Sequence, residues 1–341
     1  MSTDRYATPL PTSLSPLTYA RCSSEAYTLL PANVTYTTYS LDRSATIDDG
    51  HYGQGAYAAL WTTLTFQRAD LPGYKLNDSN IAAMNYFLYK QDIARLAALR
   101  VPHYPFTISW TRVVSFRVAG SPVNTQALAH YEDVINTCHE YGSTPIVTLM
   151  HADSTIGVFD DPEAFPGHFL YYSKQVMRRF ADRVPIWFTI CEPNMAPLFL
   201  SPYYIALTAL TKADADVYHW RYKDELQGTG RISTKFANNL AVPLDSSNGS
   251  RLQASIRYQE FILDIMTNPI FLGKQIPDVV LDTPGLNKPA LTRKELEYIN
   301  GTADFWAFDP YVAQFAYPPK GGYEACVNDS SNPLWPSCVA S

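Results

Sequence analysis

The sequence predicts an α/β fold built on a parallel sheet, and three observations carry that expectation. Short runs of β-branched and aromatic residues, such as Ile186-Trp187-Phe188-Thr189-Ile190, recur along the chain. Between them lie longer stretches whose apolar residues repeat at helical spacing. With 46% apolar and 17% charged residues, 341 residues supply ample material for a core. Strand and helix alternating at this spacing is the pattern of βα units.

Taken in order, residues 1–76 are rich in Thr, Ser, Tyr and Pro, with Pro9, Pro11, Pro16 and Pro31 breaking any helix. They read as an extended arm with one short helix over 55–68. A helix over 82–99 follows from the spacing of Met84, Phe87, Leu88, Ile93, Leu96 and Leu99. It feeds a strand over 104–110. Val123 and Asn124 open a helix over 126–141 that Gly142 stops. A strand over 145–150 leads through Asp160, Asp161 and Pro162 to a helix over 168–183. The strand 186–192 comes next, then a helix over 204–226 ending before Gly228, a strand over 231–236 and a helix over 251–266. A short helix over 291–300 and a strand over 303–308 close the count at five strands. Beyond Tyr311 the chain reads as loop, through Pro318, Pro319, Gly321 and Gly322.

The strand 186–192 ends in a single carboxylate, Glu192, and Pro193 forbids its extension. A carboxylate delivered to the C-terminal end of a parallel strand is a candidate catalytic group. Its competing reading is a Glu that pairs with a neighbouring base or caps the next helix.

Three further stretches flank it: His103-Tyr-Pro-Phe-Thr-Ile-Ser-Trp-Thr-Arg112, Thr144-Pro-Ile-Val-Thr-Leu-Met-His-Ala-Asp153 and Gly301-Thr-Ala-Asp-Phe-Trp-Ala-Phe-Asp-Pro-Tyr311. In this order they resemble the family 1 glycoside hydrolases, the β-glucosidase family, and in particular fungal members with a long N-terminal extension. The resemblance implies a TIM (β/α) barrel, with catalysis at the C-terminal rim of its strands. Five strands against the eight of a closed barrel make this a partial or modified one, residues 77–341 forming the barrel domain behind the arm.

The resemblance also assigns roles. Retaining β-glycosidases use two carboxylates about 5–5.5 Å apart, an acid/base and a nucleophile. Glu192 stands at the family's acid/base. Cys191 replaces the Asn that holds a sugar hydroxyl; a thiol is a poor hydrogen-bond partner, and the residue reads first as a small buried filler. His151 and Asp153 match the family's His-aromatic-Asp motif, with Ala152 in place of the aromatic wall. His151 is then a sugar-hydroxyl contact or a histidine bonded to local backbone. Pro105 stands where many members carry an Arg. Trp110 and Arg112 match the family, and read as well as barrel packing and a surface ion pair. Tyr311 matches the tyrosine that bonds the nucleophile, and Asp309, in place of Asn, is a second rim carboxylate that can be paired with Glu192.

The nucleophile motif and the first-strand motif are missing from the resemblance. The expectation is therefore a β-glucosidase-like protein, impaired or inactive in retaining hydrolysis. Two alternatives stay open: a non-hydrolytic biosynthetic enzyme reusing Glu192 as acid/base, or a carbohydrate- or protein-binding pseudoenzyme. An incomplete barrel exposes two strand edges, which invites self-association.

Other chemistries find no support. The chain has no glycine-rich phosphate loop, no Cys-x-x-Cys, no His-x-x-x-His and no Gly-x-Ser-x-Gly, so no cofactor and no metal are expected. A net charge of −6 argues against nucleic acid or anionic membrane as a partner, which leaves a small-molecule substrate. No apolar run is long enough to span a bilayer. The N-terminal residues show no signal-peptide core, so the expected compartment leans cytoplasmic. Five glycosylation sequons, at Asn33, Asn77, Asn248, Asn300 and Asn328, are compatible with a secreted ancestry. Cys326 and Cys338 can close a small loop where thiols are oxidised.

Overall fold

The computed structural model describes residues 85–114, 118–151, 161–195, 204–223, 226 and 230–340. The arm over 1–76, its expected helix, Ala152 and Asp153 lie outside them. Among the described residues, five strands run in chain order across one parallel sheet: β1 (His103–Thr107), β2 (Thr144–His151), β3 (Ile186–Cys191), β4 (Arg231–Pro243) and β5 (Phe308–Ala316). The helices are α1 (Asn85–Ala98), α2 (Trp110–Val113), α3 (Thr125–Glu140), α4 (Phe165–Phe180), α5 (Tyr204–Lys223), α6 (Gly249–Gln259), α7 (Ile265–Thr267), α8 (Asp278–Leu281), α9 (Arg293–Ile299) and α10 (Tyr323–Val327). The parallel strands curl into part of a (β/α) barrel, as the family resemblance implies. Among the described residues β1 and β5 are its edges. Among the described residues no helix is long and apolar enough to cross a membrane.

The helix boundaries follow local chemistry. Asn124 caps α3 by accepting hydrogen bonds from the Gln126 and Ala127 amides, and Gly142, at φ +70°, ends the turn after it. Thr292 and Glu295 form a reciprocal capping box at the start of α9. Gly230 precedes β4 because a Cβ there would lie 2.8 Å from the Val184 carbonyl oxygen.

The sheet has two different faces. On the helix side Phe106, Leu149, Trp187 and Ile232 pack with Val176, Phe169 and Leu210 from the covering helices. Each such side chain, fully buried, contributes on the order of 1.5–3 kcal/mol. On the inner side a smaller cluster, Ile146, Ile186, Phe188 and Ala307, fills the bottom of the barrel.

Four expectations need correction. The strand over 104–110 stops at Thr107, and Trp110 begins the helical turn α2. β4 is 13 residues long, not six: beyond Lys235 it leaves β3 and continues paired with β5 alone. The last strand is Phe308–Ala316 and not 303–308. Pro310 is tolerated inside it because β5 is an edge and the missing N–H costs no ladder bond. The expected single helix over 251–266 is broken, with π-helical turns at Glu260–Asp264 and Asn268–Leu272 before Gly273 ends it at φ +60°.

Candidate active site

β3 carries the centre of the site. Its last residue, Cys191, is in register with His151 at the end of β2 and with Lys235 on β4. Parallel partners in register share a face, so one layer of side chains is set across three strands. Glu192 follows directly, and its backbone takes φ +56°, a left-handed conformation uncommon for a side chain with a Cβ. Two backbone bonds hold it there: its amide donates to the Lys235 carbonyl (2.7 Å), and its carbonyl accepts from the Met195 amide (3.0 Å).

The turn beyond Glu192 is a 3-10 helix, Pro193–Met195. Asn194, buried within it, clamps it to the rest of the barrel. Its Nδ2 donates to the carbonyls of Ala237 (2.7 Å) and Ile262 (2.8 Å), and its Oδ1 accepts from the Ala237 amide (3.1 Å). One side chain thereby ties the acid-bearing turn to β4 and to the first π-helical turn. Sequence reading missed Asn194. Its signal was an Asn just after a Glu-Pro strand stop, where the following backbone needs a buried partner.

The side chains meet in two pairs. His151 Nε2 lies 3.6 Å from Glu192 Oε2, within ion-pair range and longer than a hydrogen bond. Both side chains are less than a tenth exposed. On the next strands Lys235 Nζ lies 3.2 Å from Asp309 Oδ2, with the lysine side chain 0% exposed. Nζ also sits 5.8 Å from the centroid of the Phe188 ring. Lys235 is the second residue that sequence reading missed.

The other sequence candidates are placed as follows. Cys191 is disulfide-bonded. His151, Cys191 and Glu192 bring ligand-type atoms within 4.8 Å of one another. A disulfide sulfur is no thiolate, however, so the trio reduces to one imidazole and one carboxylate, short of a zinc ligand set. Trp110 lies in the helix-side core, stacked on Tyr172 with ring centroids 5.3 Å apart. Arg112 is not a surface residue: it is fully buried, its guanidinium 4.0 Å from the Tyr86 ring centroid. Tyr311 falls within β5, and the structure does not describe its side chain.

Comparison with known proteins fits this geometry. Residues 43–332 match glycosyl hydrolase family 1. The chain belongs to that family. This family 1 chain is 28% identical over 301 residues to the human cytosolic β-glucosidase, covering 79% of the chain and 63% of that protein. It is 27% identical to the mouse lactase-like protein, covering 83% of the chain and 56% of that protein. Among solved structures, a double mutant of the β-glucosidase from Trichoderma harzianum superposes with a TM-score of 0.71 at 24% identity, over 85% of this chain and 64% of that one. The chain thus spans less than two thirds of the length of these relatives.

Proposed function

We propose that the chain binds a β-glycoside at the C-terminal rim of its strands, with Glu192 as the acid/base, and that it is impaired or inactive in retaining hydrolysis. The observation that carries the reading is Glu192 itself, held in a left-handed turn at the end of β3 with His151 at 3.6 Å. A general acid of this kind must sit shielded from water beside the glycosidic oxygen, so that it keeps a proton to deliver. Family membership supports a small-molecule glycoside as the ligand. The hydrolytic defect has a separate support. Double displacement needs a second carboxylate free to attack the anomeric carbon. The rim carboxylate at the start of β5, Asp309, is bound instead to Lys235.

The test is turnover of an aryl β-glucoside by the folded chain, with Glu192→Gln beside it. The expected result is no turnover above the variant's, together with saturable binding of methyl β-glucoside by ligand-observed NMR. Turnover that disappears in Glu192→Gln would overturn the inactive half of the proposal and make Asp309 the first nucleophile to test. Absence of binding would overturn the glycoside half.

A further inference from the structure

Lys235 is the polar group of the rim that the glycosidase reading leaves without a role. Its ammonium is wholly buried on a central strand of the sheet, 3.2 Å from the Asp309 carboxylate. Withdrawing two such charges from water costs several kcal/mol per ion, and an apolar pair of similar volume is often as stable or more so. Packing gives no reason for the pair, because apolar residues already fill the barrel bottom beneath it: Ile146, Ile186, Phe188 and Ala307. Position gives one. Lys235 is the β4 partner of Cys191, itself the β3 partner of His151, and its carbonyl holds the Glu192 amide. The pair stands in the layer of the acid/base, one strand further round the barrel.

Its chemistry suits a hydroxyl. An ammonium offers three donors and no acceptor, an ionised carboxylate only acceptors, and a hydroxyl is both. A sugar hydroxyl set against the pair accepts from Nζ and donates to the carboxylate while the two ions keep hold of each other. Bonds to charged partners are roughly twice as strong as neutral ones. Cys191, between His151 and Lys235 in the same layer, presents only a disulfide sulfur, a weak acceptor.

We propose that Lys235 and Asp309 bind a ring hydroxyl of the sugar whose glycosidic oxygen meets Glu192. The proposal rests on the glycoside reading of the site. Its test is a ligand-observed NMR titration of the full chain with glucose and with 2-deoxy-, 3-deoxy- and 4-deoxyglucose. Wild type is compared with Lys235→Met/Asp309→Asn, which replaces the ion pair by neutral groups of similar shape. One deoxysugar is expected to bind wild type about ten- to a hundredfold more weakly than glucose. The double variant, its fold checked by circular dichroism, is expected to bind the two alike. If the double variant does not fold, Asp309→Asn alone, which keeps the ammonium, is expected to lose part of the discrimination. Equal binding of all four sugars by wild type would overturn the proposal. So would full discrimination by a folded variant, and either result leaves the glycoside reading standing. If wild type binds no glucose, that reading falls and the proposal with it.

Discussion

Thr234 and Lys235 are neighbours on β4, facing opposite sides of the sheet, and each leads to a buried aspartate. On the helix side Asp214, from α5, meets hydroxyls: Thr189 Oγ1 donates to it, with Thr234 Oγ1 2.9 Å from that hydroxyl. Burial pushes the Asp214 carboxyl up to about 6, against the smaller opposing pull of the two threonines. On the inner side Asp309 is met by a cation. The same residue type is thus accommodated in two ways across the thickness of one strand. Among the helices the charge is tolerated only as far as a proton can remove it. Beside Glu192 the charge is kept and matched, which is the arrangement a polar ligand can use.

The contrast breaks most visibly at Lys235. Lys235→Met leaves Asp309 buried without its cation, and a loss of about 3–5 kcal/mol in urea unfolding is expected. Adding Asp309→Asn should restore most of it. A single variant as stable as wild type would mean that the ion pair is not what holds this corner of the barrel.

Asp214 sharpens the other side, with the opposite sign. A carboxyl whose native pKa is about 6 binds its proton more tightly folded than unfolded. Its favourable contribution is therefore complete below the unfolded value near 4 and is lost as pH rises through about 6. Asp214→Asn is expected to stabilise the fold by about 1–3 kcal/mol at pH 7.5 and to change little at pH 4. Thermal melts of the two proteins at both pH values decide it, and an equal shift at both would refute the buried-charge account. The smallest effect belongs to Thr234→Val. Losing one hydroxyl from this cluster should cost about 1 kcal/mol at pH 7.5 and less at pH 4, where the carboxyl is already neutral.

Much of the barrel was legible in the chain. Four of the five strands announce themselves as short β-branched and aromatic runs, and a proline after a strand-end carboxylate marks Glu192. The fifth was displaced because Asp309-Pro310 looks like a stop, and only its edge position lets the strand run through it. Lys235 went unread for a related reason. In Arg231-Ile-Ser-Thr-Lys-Phe236 the polar residues look like a solvated face. Yet a strand paired on both sides in a covered sheet has no such face, and a lysine within it needs a buried anion. The left-handed turn at Glu192 has no sequence signal of its own, since it is imposed by bonds to Lys235 and by the Asn194 clamp from outside the strand.

One feature at the far end of the chain bears on how the protein is made. Cys326 and Cys338 are joined, closing a short ring around α10 beside the antiparallel bridge between Tyr317 and Ala340. Glutathione in a reducing cytosol works against such a bond, whereas an export pathway favours it. A preparation from a reducing compartment, or one stored in dithiothreitol, would have this ring open. Stability figures taken on it would describe a different covalent species from the one in which the ring is shut.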